Sequence, residues 1–322
     1  MPEVVEVNLT AQFLDYKLKG NLLLDITILK GRYKRHPLHG LIAFKNNKPF
    51  KINKIDSKGK FMWFELINDK GVECFLLNRF GLSGEWNFEE KIHSGVMLTI
   101  KKQNKNKIIK LYFTDPRNFG SIKLTLDRND LNKELNKLGP DLLKTDFTNR
   151  EFYERIKKFI LKKDGTISKP RAEKEIVKVL MDQSAKGGIG SGSGNYLTAQ
   201  ILYRAGISPY TKMKKLYEDQ KLTDKLADAI EYTIKLAYMT EEIGYMEHID
   251  NKISKFVKNL RKNINENNNH PSNFHKHIKL GNDKFEFTVY RKKKDPLGND
   301  IKGDEIIKGR TTYWSPVIQK LY

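Results

Sequence analysis

The hydrophobic residues of this chain change their spacing near residue 127, and that change limits the fold more than any other feature. Between Leu22 and Leu126 they fall in short alternating or apolar runs: Leu22–Leu29, Phe61–Ile67, Cys74–Leu77, Val96–Ile100, Ile108–Phe113 and Ile122–Leu126. Runs of this length, separated by turn residues, predict the strands of an antiparallel sandwich or barrel. Asn68-Asp69-Lys70-Gly71 reads as a hairpin turn between two of them. Ahead of the strands, Pro2 to Leu18 carries Val5, Leu9, Phe13 and Tyr16 at helical spacing, and Gly20 ends that helix. Beyond residue 150 the period turns helical, in Phe152–Lys162, Ala172–Ala185, Tyr196–Ala205, Asp224–Thr240 and a polar helix around Ile249–Asn263. Asn263 to His270 has the Asn-rich composition of a mobile segment. Phe285–Tyr290 and Thr311–Trp314 then flank a Lys/Gly/Asp-rich connection, which reads as a hairpin. The expected class is α+β and multidomain. Residues 1–127 make an antiparallel β-sandwich with an N-terminal helix, and 128–150 a linker broken by Gly139-Pro140. Residues 151–270 make a helical domain and 271–322 the terminal hairpin.

At 322 residues the chain can bury a sizeable core. Its 60 Lys and Arg against 39 Asp and Glu leave a formal net charge of +21. That surplus points to a polyanionic partner, nucleic acid first and an anionic membrane second. No apolar run approaches the roughly 18 residues that span a bilayer, and no charged-then-apolar leader opens the sequence. A soluble, intracellular protein is the expectation. Cys74 is the single cysteine, so there is no disulfide framework, and its apolar setting marks it as core rather than nucleophile. His36 and His39 have Pro37 between them and no third ligand near, which excludes a metal site there.

The opening Met1-Pro2-Glu3-Val4-Val5-Glu6 has its own chemistry. Removal of the initiator Met would leave Pro2 as a secondary amine at the chain terminus. An α-amine titrates at about 7.7–8, so an unprotonated fraction is available as a nucleophile at neutral pH. Attack by such an amine on a sugar C1′ yields an iminium that stays charged, and two carboxylates stand beside it to move protons. Small second residues are also common without any catalytic reason, and six residues alone leave both readings open.

Four further segments carry candidate chemistry. Lys186 to Asn195 reads Lys-Gly-Gly-Ile-Gly-Ser-Gly-Ser-Gly-Asn between two helical runs. It is either a turn whose N–H groups and Asn195 cradle a phosphate at a helix N-terminus, or a flexible loop. Asp115-Pro116-Arg117-Asn118-Phe119-Gly120 sits between strands and is either a type I turn with a buried Phe or a loop on which Arg117 and Phe119 offer a cation and an aromatic wedge for a gap in stacked bases. Leu82 is another apolar residue on a glycine-flanked loop. Lys60, ahead of Phe61–Leu66, and Arg310, at the tip of the C-terminal hairpin, are each either a phosphate contact or a solvated charge.

Taken in order, these pieces resemble the formamidopyrimidine-DNA glycosylase/endonuclease VIII family over nearly the whole chain. The corresponding stretches are Met-Pro-Glu-x-x-Glu, the Gly-Lys before a strand, Phe-Gly-Leu-Ser-Gly, Asp-Pro-Arg-x-Phe-Gly and Leu138-Gly139-Pro140-Asp141. Leu180-Met181-Asp182-Gln183 leads to Asn195-Tyr196-Leu197 and Ala205-Gly206-Ile207-Ser208-Pro209, matching the family's helix-two-turn-helix. Val289-Tyr290 and Gly309-Arg310-Thr311-Thr312-Tyr313 match the flanks of its C-terminal finger. The resemblance implies a bifunctional DNA glycosylase and AP lyase in base-excision repair, acting on damaged DNA as a monomer without a cofactor. Pro2 would be the Schiff-base nucleophile and Glu3 the acid/base, with Glu6 in support. Lys60 would contact phosphate and donate the proton for β-elimination. Asn195, His93 and Arg310 would hold DNA phosphates, with Arg310 also tied to δ-elimination. Leu82, Arg117 and Phe119 would fill the void left by an everted nucleotide.

The sequence departs from the family pattern in three places. The positions matching the finger's four zinc-binding cysteines are Leu297, Asp300, Ser315 and Ile318, so a zincless finger is expected. The usual Gly-Ile-Gly-Asn is split by Ser191-Gly192-Ser193-Gly194, which puts the placement of Asn195 in question. Val5 stands for a proline and Leu82 for a methionine, both keeping apolar bulk. The absence of zinc ligands points to the endonuclease VIII-like branch and to oxidised pyrimidines and formamidopyrimidines. The rival readings are a non-catalytic binder of damaged or abasic DNA with the same fold and, further off, an RNA- or ribosome-associated protein.

Overall fold

The computed structural model describes residues 2–103, 107–145, 147–240, 255–256, 258–259, 261–262, 280 and 283–322. The chain divides into two compact units, Met1–Asn136 with Gly244–Asn267, and Lys137–Ile243 with Asn268–Tyr322.

The first unit begins with α1 (Val4–Leu18), followed by β1 (Leu22–Ile28) and the short helices α2 (Arg32–Arg35) and α3 (Leu41–Asn47). Next come β2 (Phe50–Lys58), β3 (Phe61–Ile67), β4 (Glu73–Arg79), β5 (Glu85–Asn87), β6 (Ser94–Lys101), β7 (Ile108–Thr114), β8 (Ser121–Thr125) and α4 (Arg128–Asn136). The strands form one antiparallel sheet in the order β5-β7-β6-β1-β2-β3-β4-β8. β6 alternates buried and half-exposed residues along its length, the signature of a sheet with one face on the core. In the β3–β4 hairpin Gly71 takes a φ of +76°, and the Asn68 side chain accepts from the Lys70 and Val72 N–H groups.

Two strands have no counterpart among the expected runs. β5 has three residues, too few to show a period. β2 does alternate, but a bulge between Ile52 and Lys54 advances the register by one residue. Phe50 and Ile52 therefore point inward in one phase, and Ile55 and Ser57 in the other. α1 also differs from its expected face. Tyr16 is 68% exposed, while Leu14 and Leu18 are buried, and the first turns are buried nearly all round. A helix buried on every side belongs to the core, and this one packs against β2 and β3. Cys74 lies in that core, where burial pushes its thiol up to about 12, so the sulfur stays protonated and inert.

The second unit contains α5 (Asn149–Ile160), α6 (Lys169–Ala172), α7 (Ile176–Met181), α8 (Asn195–Ala205), α9 (Met213–Glu218) and α10 (Gln220–Met239). Thr148 caps α5 and forms a reciprocal capping box with Glu151. α10 packs on α8 and α5. It begins earlier than its apolar period suggests because Asp219 caps it, accepting from the Leu222 N–H. The helix expected over Ala172–Ala185 is broken at Glu175, which is extended and bridges to Lys212, and it stops at Met181. The polar helix around Ile249–Asn263 and the Asn-rich stretch to His270 lie largely outside the described residues. At the C-terminal end β9 (Lys302–Ile307) and β10 (Arg310–Trp314) make a two-stranded hairpin. Phe285–Tyr290 is not its first strand. That segment is irregular, and Phe285, Phe287 and Tyr290 pack edge-on around Tyr196 of α8. No helix among the described residues is long and apolar enough to cross a membrane.

Glu175 joins α7 to the turn before α9, with Lys212 Nζ at 2.8 Å and Lys178 Nζ at 2.9 Å. Burial opposes its charge, but the bonds from Lys212 and Lys178 win and hold the carboxyl down at about 2. A depressed carboxylate stabilises the fold above its ordinary value of 4.5, and that contribution is lost as pH falls from there toward about 2. Glu175→Gln is therefore expected to flatten the acid limb of melting temperature against pH in this window. Superimposable profiles would show that the triad contributes nothing to stability.

Candidate active site

Three hydrogen bonds fix how α1 lies on the sheet. The Gly20 N–H donates to the Ile52 carbonyl at 2.8 Å, the Ile55 N–H to Asp15 Oδ1 at 2.7 Å, and Asn8 Nδ2 to Ser57 Oγ at 3.1 Å. The helix thus runs antiparallel to β2, and its N-terminus is directed toward the Gly59-Lys60 turn that follows. Gly59 takes a φ of +55°, the left-handed conformation that lets the chain reverse into β3. Glu3 and Glu6 form a capping box, with the Glu3 N–H donating to Glu6 Oε2 at 2.9 Å. Both carboxylates are buried, at 0% and 4% exposure, and the helix N-terminus favours their negative charge. Pro2 and Lys60 are half-buried. The structure therefore gathers Pro2, Glu3, Glu6 and Lys60 toward one end of the first unit: a potential amine nucleophile, two sheltered carboxylates and a cation.

Leu82, Arg117 and Phe119 also come together. Gly81 and Gly120 bring their two loops into backbone contact. A Cβ on Gly81 would lie 2.5 Å from the Gly120 nitrogen, and its φ of +64° already excludes most side chains. Asp115 closes the junction. Its carboxylate accepts from Ser83 Oγ and from the Gly120 N–H, both at 2.6 Å, and from the Arg117 N–H at 3.3 Å. Held this way, Arg117 is exposed, Phe119 is 62% exposed and Leu82 is half-buried. An outward-facing aromatic keeps apolar surface in water, and here the backbone beside it is held by Asp115. His93 sits beside the same junction, its carbonyl accepting from the Asp115 N–H at 3.2 Å. His93 lines a cleft of about 190 Å³ together with Lys30, Arg32 and Asn118.

Asn195 and Arg310 belong to the second unit. The Gly-rich segment is a packed turn, not a flexible loop: residues 188–194 are buried. Gln183 holds it, accepting from the Gly192 N–H and donating to the Ser193 carbonyl at 2.8 Å. Ser191 is fixed to the Gly139-Pro140 segment through the Gly139 carbonyl at 3.0 Å. The additional residues are absorbed upstream, and Asn195 still opens α8 with Gly194 as its N-cap. Asn195 Nδ2 donates to the Thr311 carbonyl at 3.0 Å, which sets the N-terminus of α8 beside the hairpin tip. Gly309, at a φ of +74°, makes that tip, and Arg310 follows it in register with Ile307.

The four positions at which the resemblance expects metal ligands do not fit a metal. Leu297 and Ile318 have no donor atom, the Asp300 carboxylate pairs with Lys294 at 3.1 Å, and Ser315 Oγ donates to Asp295. Among the described residues no three His, Cys, Asp or Glu converge on a metal position.

Asp115, Ser83 and Gln183 do the positioning and were not singled out in the sequence. Asp115 and Ser83 stand inside the two loop motifs, and Gln183 stands shortly before the Gly-rich turn, but a polar residue in a turn gives no sign of which distant turn it will bind.

Known proteins bear on this geometry. Residues 1–122 match the family profile described as the formamidopyrimidine-DNA glycosylase N-terminal domain, and residues 276–320 the formamidopyrimidine-DNA glycosylase C-terminal domain. The chain is 25% identical over 338 residues to formamidopyrimidine-DNA glycosylase of Prochlorococcus marinus strain MIT 9301, covering 99% of this chain and 100% of the relative. It is 26% identical over 250 residues to Endonuclease 8 of Salmonella arizonae, covering 74% and 81% of the two chains. Its fold is similar to that of Lactococcus lactis FPG (MutM), solved with a FAPY-dG containing DNA. There the TM-score is 0.69 at 21% identity, covering 99% of this chain and 100% of that one.

The loop junction is testable by itself. Hydrogen bonds to a charged group contribute about 1.5–3 kcal/mol, so Asp115→Ala and Ser83→Ala are each expected to lower the melting temperature, Asp115→Ala more. Because they share one bond, the double variant is expected to fall short of the sum of the two losses. Full additivity would show that the pair does not couple the loops.

Proposed function

Because the chain belongs to the formamidopyrimidine-DNA glycosylase/endonuclease VIII family, we propose that it is a base-excision DNA glycosylase with AP lyase activity, using Pro2 as its nucleophile. The observation that carries this reading is the direction of α1 along β2, which turns Pro2, Glu3 and Glu6 toward the Lys60 turn. Simple binding of DNA needs neither a buried pair of carboxylates beside the terminus nor a lysine in the turn toward which that terminus is directed, and this favours catalysis over a non-catalytic binder with the same fold.

With Met1 removed, the Pro2 nitrogen attacks C1′ of the damaged nucleotide. The C1′–N bond to the base breaks, and the base leaves with the bonding pair and a proton. Glu3 moves protons during base loss and opening of the sugar ring, and Glu6 holds Glu3 through the capping box. A secondary amine has no second hydrogen to lose, so the product is an iminium. Its positive charge acidifies C2′; loss of that proton expels the 3′ phosphate in β-elimination, with Lys60 holding phosphate and supplying the proton. A second elimination expels the 5′ phosphate, and Arg310 serves that step. Asn195 and His93 hold backbone phosphates. Leu82, Arg117 and Phe119 enter the gap left by the everted nucleotide, where an aromatic against a base contributes about 1–3 kcal/mol. The substrates are oxidised bases, oxidised pyrimidines and formamidopyrimidines first among them.

Borohydride reduction is expected to trap a covalent adduct with duplex DNA carrying an abasic site or an oxidised pyrimidine. Pro2→Gly is expected to weaken trapping, and an N-terminal extension to abolish it. Efficient trapping by protein that retains Met1 would overturn the Pro2 mechanism. A panel of single-lesion oligonucleotides then reads the base preference.

A further inference from the structure

The finger has lost every cysteine, yet its two turns remain joined, and the joint is a carboxylate. Asp295 is 5% exposed. Its Oδ1 accepts from the Leu297 and Asn299 N–H groups, each at 2.9 Å. Its Oδ2 accepts from Asn299 Nδ2 at 3.0 Å and from Ser315 Oγ at 2.9 Å. The first three donors lie in the turn at 295–299; the fourth lies in the turn at 315–319, directly after β10. Leu297 and Ser315 are two of the four positions at which the resemblance expects metal ligands, so one carboxylate spans the two turns that a metal would span. With its oxygens taken up by donors, Asp295 has no lone pair directed at an open site, and the arrangement closes without an ion.

The joint connects to Arg310 along the length of β10. Ser315 is the residue after Trp314, the end of β10, and Arg310 is that strand's first residue. Ser315 is held a second time, its N–H donating to Gln319 Oε1 at 2.8 Å, while Gln319 Nε2 donates to the Ile207 carbonyl at 2.9 Å. Hairpin and turn are thereby fixed to the end of α8, whose other end bonds Thr311 through Asn195. Asp304 repeats the device within the hairpin, accepting from Trp314 Nε1 at 2.7 Å and Tyr210 Oη at 2.8 Å. Burial disfavours the charge on Asp295, yet the bonds from Asn299, Ser315 and Leu297 outweigh it and hold its carboxyl below the ordinary carboxylate range.

We propose that Asp295 is a positioning residue that takes the structural place of a metal in the finger and presents Arg310 to a DNA phosphate. The proposal rests on the reading of Arg310 as a phosphate contact. The test measures affinity of the full chain, by titration, for a duplex with a single tetrahydrofuran abasic analogue, which needs no catalysis. Arg310→Ala and Asp295→Ala are each expected to weaken binding by at least about tenfold, the scale of a lost charge-assisted bond. The double variant is expected to bind no more weakly than Arg310→Ala alone, because Asp295 acts through Arg310. Ser315→Ala, which removes only the link between the turns, is expected to reproduce part of the loss and decides the matter if Asp295→Ala does not fold. Unchanged affinity in Arg310→Ala would overturn the phosphate reading. A weakened Arg310→Ala beside unaffected Asp295→Ala and Ser315→Ala, or additive losses in the double variant, would overturn the role of Asp295 alone.

Discussion

A buried carboxylate that collects donors from two separate turns is the interaction on which the working surfaces of this protein depend. Asp115 joins the Leu82 loop to the Arg117–Phe119 loop through Ser83 and Gly120. Asp295 joins the two turns of the finger through Asn299 and Ser315. Asp141 does similar local work, accepting from the Leu143 and Lys144 N–H groups at 2.7 and 2.9 Å beside the Gly-rich turn. At Asp115 the loop that carries the exposed Arg117 and Phe119 gains a fixed backbone in this way. Hydrogen bonds to an ionised acceptor are about twice as strong as neutral ones and directional, which suits them to hold a loop that apolar burial cannot reach.

This arrangement lets a chain of net charge +21 carry acidic groups inside its candidate surfaces. The carboxylates of Glu3, Glu6, Asp115 and Asp295 are buried and turned to backbone or hydroxyl donors. Arg117 and the hairpin lysines are left outward, where their field attracts a polyanion. Close backbone approach supplies the rest: Gly81 lies against Gly120, and a Cβ on Gly190 would lie 2.3 Å from a Leu142 methyl carbon. Glycine at these points is a matter of space, so the loops cannot be separated from the turns they touch.

Much of the fold was legible because its signals are local. The run Phe61–Ile67 is strand β3 to the residue, and Asn195–Ala205 ends at the left-handed Gly206 as its pattern implies. β2 is hidden from the pattern because a bulge shifts its phase, and the helical period over Ala172–Ala185 is interrupted because Glu175 trades a helical turn for two lysines. Phe285–Tyr290 has the composition of a strand, but its aromatic rings find Tyr196 before its backbone finds a partner. The candidate site residues could be named in advance, as they sit in short motifs. The residues that hold them could not.

The sequence alone determined the order of strand and helix, the basic surplus, the absence of finger cysteines and the Pro2-Glu3 opening, because each is written in composition or in spacing along the chain. Only the tertiary structure decided that α1 points its terminus at Lys60, that the Gly-rich segment is packed with Asn195 beside Thr311, and that Asp115 and Asp295 clamp turns 32 and 20 residues away. The physical reason is that a carboxylate's partners are chosen by which donors remain unsatisfied once the backbone has folded, and that choice leaves no period in the sequence.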